Sequence, residues 1–266
     1  MTYSRTARLV LRLVMALGLL FIYVPLLVVV INSLNRSRTF SWPPTGLTLD
    51  WWRAAAGSSG LRTALLDSVV IALAATVIAL VLGTMLAFAV QRYRFFGRQG
   101  VSLLVVLPIA LPGIVTGIAL NSAFTAGGVP LGYFTVVVGH ATFCVVVVHN
   151  NVLARLRRMG TTLEEASMDL GADTFTTFRL VTWPQLRTSL VAGALLAFAL
   201  SFDEIVVTTF TTSPGLKTLP IWIFENLFRP NQAPVVNVAA AALIVLSIIP
   251  IWASQRLSSD QAGGRL

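Results

Sequence analysis

Two adjacent carboxylates, Asp203 and Glu204, interrupt a long apolar stretch and are the residues of this sequence with the most evident chemistry. If the stretch lies in a bilayer, each carboxylate is costly there and is expected to line a cavity or a pathway. Two neighbouring negative charges could then hold a cation. A structural ion pair or a cap at the outer interface explains the same residues, and the sequence leaves these alternatives open.

Catalytic and metal chemistry find little support in the remaining polar residues. His140 and His149 are nine residues apart, about 900° of helical rotation, so they face opposite sides of a helix and are interpreted as packing residues. The single cysteine, Cys144, excludes a disulfide framework. A phosphate-binding loop needs a lysine after a glycine, whereas the only lysine, Lys217, follows Leu216. We therefore expect no enzyme activity, no cofactor and no metal in this chain.

The composition is typical of a membrane protein. Of the 266 residues, 56% are hydrophobic and 11% are charged, against about 25% charged residues in soluble domains. The net charge of +9 could attract nucleic acid, but the basic residues fall between long apolar runs and form no single stripe. The expected partner of the apolar surface is therefore the lipid bilayer, and no nucleic acid is expected to bind.

Six apolar runs reach the length of about 20 helical residues that a bilayer core requires. The sequence therefore predicts an all-α membrane protein in which residues 1–266 form a single transmembrane domain. The first run follows Arg5 and Arg8 as a secretory signal would, but it exceeds the roughly 7–15 apolar residues of such signals and is expected to be retained. The third run contains Pro112, and neighbouring helices are expected to satisfy the backbone groups that this residue frees. The predicted spans are 9–31, 65–90, 101–124, 131–153, 190–211 and 235–253.

The basic residues also predict the orientation of the chain, because arginine and lysine are retained on the cytoplasmic side. Most of the 19 Arg and Lys residues fall in the compartments that contain both termini and the segment 154–189. Both termini of this multi-pass protein are therefore expected in the cytoplasm. Trp51 and Trp52 lie in the outer segment between the first two spans, where tryptophan usually anchors the interface; contact with a substrate is the alternative.

The segment 154–189, called here the connecting loop, has the sequence pattern of a short amphipathic helix. A capping-box spacing occurs twice at its start, in Thr161 with Glu164 and in Thr162 with Glu165. Gly171 suits the left-handed end of such a helix. The helix would present a small apolar ridge with acidic flanks, formed by Leu163, Ala166 and Leu170. This shape could transmit force, although it also fits an ordinary amphipathic linker.

The rest of the connecting loop predicts a second short helix. Asp173 can cap a helix that runs through Arg179, and Pro184 suits the first turn of the fifth span. The loop is therefore expected to form a helix-turn-helix that two spans hold at the membrane surface.

The connecting loop resembles the EAA loop of binding-protein-dependent ABC importer permeases. The matching residues are Glu165, Ala166, Gly171 and Pro184, and the departures are Ser167, Val181 and Trp183. The resemblance implies the type I ABC importer permease (MetI-like) fold, in which this loop between helices 4 and 5 is the coupling helix that docks into a cytoplasmic ATPase subunit. It implies ATPase-coupling roles, with the acids pairing with basic groups of the partner, for Glu164, Glu165, Ala166, Ser167, Asp169, Gly171 and Pro184.

The same resemblance implies the other members of the assembly. A permease of this family works in the bacterial plasma membrane with a homologous second permease, two ATP-binding subunits and an extracytoplasmic substrate-binding protein. The separate ATPase subunit would bind ATP and Mg, in keeping with the missing phosphate-binding loop. Import is likewise implied by the family, through alternating access between two bundle arrangements.

Several motifs look like those of the second permease subunit of spermidine/putrescine importers. They are Arg92-Tyr93-Arg94-Phe95, His140-Ala141-Thr142-Phe143-Cys144, Asp169-Leu170-Gly171-Ala172 and Leu200-Ser201-Phe202-Asp203-Glu204. The resemblance implies roles in uptake for Ser201, Asp203 and Glu204, and a role at the substrate entrance for Trp51 or Trp52. Adjacent acids with aromatic walls could hold the ammonium groups of a polyamine. Two positions, Gly113 and Asp67, depart from the polyamine pattern, so either a negative charge has moved to the second span or the substrate differs.

Two alternatives to polyamine import remain open from the sequence. The same machinery could carry ferric ion, thiamine or an anion, although the neighbouring acids disfavour an anion. A secondary transporter could instead use Asp67, Asp203 or Glu204 to carry a coupling proton, and it would need no ATPase partner.

Overall fold

The computed structural model describes residues 4–39, 42–229 and 231–246, and most of these residues are helical. The helices are α1 (Arg5–Ser33), α2 (Asp50–Gly57), α3 (Ser59–Arg92), α4 (Arg98–Ala110), α5 (Gly113–Ala126), α6 (Tyr133–Met159), α7 (Thr162–Asp169), α8 (Thr174–Thr177), α9 (Trp183–Phe202), α10 (Val206–Thr211), α11 (Leu219–Leu227) and α12 (Ala233–Leu246). A π-helical turn, Phe178–Thr182, joins α8 to α9. The all-α prediction is confirmed.

Four continuous helices of the described ranges are long and apolar enough to cross a membrane. They are α1, α3, α6 and the segment Thr174–Phe202 that ends with α9. The first three correspond to the predicted spans 9–31, 65–90 and 131–153. The sixth predicted span, 235–253, is described only as far as the end of α12, and residues 247–253 lie outside the described ranges. The count of six spans stays a prediction.

The predicted third span, 101–124, is wrong as a single helix. The chain forms α4 and α5, which meet at an angle of 108°. Leu111, between them, is extended with ψ of 145°, and Pro112 precedes the first residue of α5. The proline ring disfavours helical geometry in the residue before it, and proline has no N–H to continue the α4 hydrogen bonds. The chain therefore bends at Pro112.

The predicted fifth span, 190–211, has different bounds in the structure. The continuous helical segment begins at Thr174 and ends at Phe202, and α10 begins only at Val206. The interruption coincides with the two adjacent carboxylates, and a carboxylate side chain that bonds nearby backbone N–H groups competes with helical hydrogen bonds. The polar pair therefore divides the apolar run into two helices.

The chain divides into two compact units, Met1–Arg62 with Ile223–Leu266, and Thr63–Trp222. The second unit contains a core in which small residues of α3 and α9 allow close approach to α6. Its buried members include Ala79, Ala87, Cys144, Val148, Leu186 and Ala197. The single-domain organisation expected from the sequence stays a prediction.

Gly83 allows α3 to approach the backbone of α6, and its replacement by alanine is expected to destabilise the protein. A Cβ atom at this position would lie 2.8 Å from Val145 O and 3.0 Å from His149 N. Because these are backbone atoms, the two helices must separate, at a cost of about 1–3 kcal/mol typical of overpacking. Thermal unfolding in detergent measures the loss.

The matched control for this change is Gly18→Ala in α1. No atom lies within 4 Å of the added Cβ there. Alanine favours a helix by about 1 kcal/mol over glycine, so this variant should unfold at or above the wild-type temperature. Equal unfolding temperatures for the two variants would contradict the proposed helix contact.

Candidate functional site

The two carboxylates at the end of α9 have different surroundings. The last hydrogen bond of the helix joins Asp203 N to Ala199 O (3.1 Å), and the Asp203 residue is exposed. Glu204 is half-buried, and its Oε1 accepts a hydrogen bond from Val207 N (2.8 Å) in the first turn of α10. Glu204 therefore satisfies a backbone N–H that the start of a helix leaves free. Asp203 is the carboxylate that remains exposed at the interruption.

A buried histidine of α6 connects the two sides of this interruption. His140 Nδ1 lies 2.7 Å from Ser201 Oγ in α9, and Nε2 lies 2.8 Å from Thr208 Oγ1 in α10; all three residues are buried. The Thr208 hydroxyl donates to Glu204 O (2.8 Å), so it must accept from the imidazole. A neutral imidazole has one donor nitrogen. The proton is thus assigned to Nε2, and Nδ1 accepts from the Ser201 hydroxyl.

Replacing His140 with leucine is expected to destabilise the contact between α9 and α10. The change leaves the buried Ser201 hydroxyl without its acceptor, which costs about 1–3 kcal/mol. His140→Gln is the control, because glutamine retains one donor and one acceptor. Thermal unfolding in detergent should rank wild type above the glutamine variant and the glutamine variant above the leucine variant. A leucine variant as stable as wild type would show that the two hydrogen bonds contribute nothing.

The short helix α10 also packs against α5, the second part of the interrupted third span. Asn121 Nδ2 donates to Phe210 O (2.6 Å), and Thr135 Oγ1 of α6 donates to Thr211 O (2.7 Å). A Cβ atom at Gly117 would lie 2.6 Å from a carbon of the Phe210 ring, so a larger residue there would displace the Phe210 side chain. Both interrupted spans therefore meet at α10. Discontinuous membrane helices are a recurrent way for transporters to form solute and ion sites.

Asp67 and Ser68 of α3 are enclosed by their neighbours. Asp67 is buried and accepts a hydrogen bond from the Tyr133 hydroxyl at the start of α6. Ser68 Oγ accepts from Leu219 N (2.7 Å). Asp67 thus joins α3 to α6, and this contact could not be inferred from the sequence.

Trp51 and Trp52 belong to the other compact unit and lie on α2. Trp51 Nε1 donates to Asn35 O (2.9 Å) and so holds the loop that follows α1. Trp52 Nε1 is buried and finds no hydrogen-bond acceptor among the described residues. Of the two indoles, Trp51 has a structural role within its own unit, and Trp52 retains an unused donor.

The short helix predicted in the connecting loop is α7, and Gly171 terminates it in the left-handed conformation as predicted. The φ angle of Gly171 is 89°, in the left-handed region. Gly171 N donates to Met168 O (2.9 Å), and Ala172 N donates to Ser167 O (3.1 Å). These are the two hydrogen bonds of a Schellman motif, which satisfies carbonyl groups at the helix end.

The second helix of the connecting loop begins at the predicted cap. Asp173 Oδ1 accepts from Thr176 N (2.7 Å). Hydrogen bonds from the Thr176 side chain and backbone lower the pKa of the Asp173 carboxyl below its usual value. Ser167 Oγ lies 3.1 Å from Thr177 Oγ1 and joins α7 to α8. Pro184 lies in the first turn of α9, as the sequence predicts.

The predicted capping boxes at the start of α7 are wrong. Thr161 precedes the helix but makes no side-chain capping bond, and Thr162 is already the first residue of the helix. Glu164 Oε1 instead forms an ion pair with Arg92 Nη2 at the end of α3 (2.8 Å) and accepts from Thr182 Oγ1 (2.8 Å). The side chains of this ion pair are 16% and 17% exposed. A single carboxylate thus ties α7 to α3 and to the π-helical turn.

The ridge of α7 is exposed. Leu163 and Leu170 are 57% and 90% exposed, and Ala166 lies beside them, also exposed. Glu165 and Asp169 are exposed acids on the same short helix. Because Glu164 is engaged within the chain, these two acids are the ones that α7 presents to its surroundings.

Reversing the charge of Glu164 is expected to detach α7 from α3. Glu164→Arg places like charges together and removes a charged hydrogen bond that contributes about 1.5–3 kcal/mol. Amide hydrogen exchange over 162–169 should accelerate by about tenfold or more. The exposed Glu165→Arg is the matched control and should leave exchange unchanged. The double variant Arg92→Glu with Glu164→Arg should restore protection from exchange. Unchanged exchange in Glu164→Arg, together with no recovery in the double variant, would show that the Arg92–Glu164 ion pair does not hold α7 against α3.

Two interrupted apolar spans and a helical loop exposed between two membrane-length helices define a polytopic transport protein. Residues 79–261 match the model of the family described as "Binding-protein-dependent transport system inner membrane component". The chain belongs to this family, and the family assignment made from the sequence is confirmed. The family comprises permease subunits, which are not themselves catalytic, and the chain is a multi-pass inner membrane component.

Curated relatives extend the match along the chain. The spermidine/putrescine transport system permease protein PotC of Escherichia coli (strain K12) is 33% identical over 245 residues, 92% of each chain. The putrescine transport system permease protein PotI of the same strain is 32% identical over 90% of this chain and 86% of the relative. The putative 2-aminoethylphosphonate transport system permease protein PhnV of Salmonella typhi is 30% identical over 91% and 90%.

Solved structures share the fold. A bacterial ABC transporter involved in the import of the acidic polysaccharide alginate matches with a TM-score of 0.69 at 16% identity, covering 98% of this chain and 99% of that chain. An amino acid ABC transporter matches with a TM-score of 0.59 at 14% identity, covering 77% and 96%. The predicted ABC importer permease fold is thereby confirmed.

Proposed function

We propose that this chain is the permease subunit of an ATP-driven importer of polyamines such as putrescine and spermidine. The observation that carries the proposal is the identity of 33% over 92% of both chains with a spermidine/putrescine permease. A polyamine is a flexible polycation, and exposed carboxylates attract its ammonium groups.

The interrupted fifth span supports this choice of cargo. Asp203 is exposed where α9 ends, while the neighbouring Glu204 is used to start α10. In this proposal Asp203 contacts the cargo. Ser201 contributes indirectly, because its hydrogen bond to His140 holds the end of α9 against α6. Asp67 is a further candidate for contact with the cargo, and Trp51 or Trp52 is the candidate for the substrate entrance that the resemblance implies.

Coupling to ATP is proposed to occur through α7. Its exposed ridge would seat in a cleft of a separate ATPase subunit, with Glu165 and Asp169 facing basic groups of that partner. The complete assembly would contain a homologous second permease, two ATP-binding subunits that hold ATP and Mg, and an extracytoplasmic binding protein. Both termini would lie in the cytoplasm, since the positive-inside rule favours that orientation.

Reconstitution of the complete assembly in proteoliposomes tests this function. Labelled putrescine and spermidine should accumulate only with ATP, the ATPase subunits and the binding protein. Omission of the ATPase subunits is the control that separates the proposal from a proton-coupled transporter. Accumulation without those subunits, driven by a proton gradient, would contradict it.

A second cargo, 2-aminoethylphosphonate, is favoured by the relation to PhnV at 30% identity. This molecule carries one ammonium group together with a phosphonate anion. Competition in the same proteoliposomes distinguishes the two cargoes. Excess spermidine should block labelled putrescine uptake, and excess 2-aminoethylphosphonate should not.

A further inference from the structure

A polar groove lies between α6 and α9, beside the connecting loop. Its volume is about 410 Å³. It is lined on α6 by Asn150, Asn151, Arg155 and Arg158, and on α9 by Thr188 and Ser189. No residue that lines the groove is acidic, so it attracts anions and repels a polycation. The groove therefore differs in charge from the region of Asp203.

The two arginines are placed to share one anionic group. Arg155 is half-buried, and its Nε donates to Gln185 O (2.9 Å), which fixes one edge of the guanidinium against α9. Arg158 is exposed, and its Nε donates to Ala154 O (3.3 Å). Within the described residues, the terminal nitrogens of both side chains have no hydrogen-bond partner and can bind a ligand in the groove. Guanidinium groups match phosphate oxygens in geometry as well as in charge.

The lining of the groove extends along α6 and contains both polar and apolar residues. The helix rises about 12 Å from Asn150 to Arg158, which exceeds the roughly 5–8 Å of head-group region on one side of a bilayer. Ala154 and Ala192 form an apolar wall within this depth. A phosphate attached to a larger body can reach the whole lining, including Ala154 and Ala192, whereas a free phosphate occupies only the part beside the arginines.

We infer that this groove binds the phosphate head group of an anionic phospholipid. The inference rests on the proposed orientation, in which this end of α6 faces the cytoplasm, and it is independent of the cargo. Basic pockets between membrane helices on that side recognise anionic head groups. Arg155 and Arg158 hold the phosphate, Thr188 and Ser189 donate hydrogen bonds, and the lipid fixes the spacing of α6 and α9 beside the connecting loop.

Native mass spectrometry of the purified transporter complex with added phosphatidylglycerol tests the site. Removal of one arginine should weaken lipid retention about fivefold, so the double variant Arg155→Gln with Arg158→Gln should bind about 25-fold more weakly. The matched control is Arg157→Gln with Arg187→Gln, which removes the same charge from exposed positions outside the groove lining. Equal retention by the two double variants would overturn the inference.

Because removal of Arg155 also removes its hydrogen bond to Gln185 O, a second variant tests lipid binding without that change. Ser189→Asp leaves both arginines in place and supplies a competing carboxylate, so lipid retention should fall while thermal unfolding stays near wild type. Phosphatidylcholine alone should not be retained by the wild type, and inorganic phosphate alone should not raise its unfolding temperature. Stabilisation by inorganic phosphate equal to that by the lipid would overturn the choice of a lipid.

The outcome of this test is separate from the outcome for polyamine import. Retention is measured without transport, so a complex that carries no polyamine can still bind the lipid, and an active importer can fail to bind it. Loss of the ATPase subunits from the Arg155→Gln, Arg158→Gln complex with unchanged lipid retention would show that the groove binds an acidic protein partner, and it would overturn the inference.

Discussion

Replacement of Gly171 with valine is expected to abolish most ATP-dependent uptake while the subunit still inserts in the membrane. Gly171 has a φ angle of 89° and completes the Schellman motif at the end of α7. No atom lies within 4 Å of an added Cβ, so the strain is conformational and not steric crowding. A left-handed L-residue costs about 1–2 kcal/mol, and more is expected for a β-branched residue. The conformation in which α7 ends at a left-handed residue 171 should therefore become about tenfold less populated. Uptake of labelled putrescine should fall in proportion, because only this conformation is proposed to couple to the ATPase.

Two control variants separate coupling from general strain. Gly97 has a φ angle of 83° and equally open surroundings, but it lies before α4, outside the connecting loop. Gly97→Val imposes similar strain and should retain most uptake, and Gly171→Asn should retain more than Gly171→Val because asparagine tolerates the left-handed region. Equal losses in Gly97→Val and Gly171→Val would argue against a special role for α7.

Long apolar runs and local backbone requirements were predictable from the sequence. The positions of α1, α3 and α6 follow from hydropathy, because a bilayer core needs about 20 apolar helical residues. Gly171 and Asp173 were predicted as helix end and helix cap, and both roles are confirmed. These features depend on residues that are neighbours along the chain, so the sequence pattern contains the relevant physical information.

The interruptions of the third and fifth spans could not be placed from hydropathy. Averaging over a window of about 19 residues treats Pro112 as part of an apolar run, although its ring constrains the preceding residue. The same average conceals the capping bond from Val207 to Glu204, which starts a new helix inside the predicted span. Proline was expected to be accommodated by neighbouring helices, and the chain instead bends by 108°.

Contacts between distant residues account for the remaining differences. The capping box of Thr161 with Glu164 does not form because Glu164 pairs with Arg92, 72 residues earlier, and this part-buried charged contact outweighs a local cap. His140 was interpreted as a packing residue, yet it bridges Ser201 and Thr208, which lie 61 and 68 residues away. Arg92 and His140 both occur in the motifs that resemble polyamine permeases, which is the one signal that could have drawn attention to them.

Neutralising Asp203 should raise the KM for a polyamine, and it should do so more than neutralising the adjacent Glu204. Asp203 is exposed, whereas the Glu204 carboxylate is occupied by Val207 N. Loss of one charge contact at intermediate effective dielectric corresponds to about a tenfold change in apparent affinity. Asp203→Asn should therefore raise the KM about tenfold, with a larger effect for spermidine, which carries three ammonium groups, than for putrescine, which carries two.

The Glu204 variants provide the matched comparison because they remove the same charge one residue away. Glu204→Gln keeps an oxygen that can accept from Val207 N, so α10 should remain capped and the KM should change little. Glu204→Ala removes the cap, which costs about 1 kcal/mol, and should lower the unfolding temperature without the cargo dependence seen at Asp203. A KM for Asp203→Asn equal to that of wild type, measured for both amines, would assign Asp203 a structural role. The polyamine would then have to be held elsewhere in the protein, with the buried Asp67 of the continuous helix α3 as the remaining acidic candidate named from the sequence.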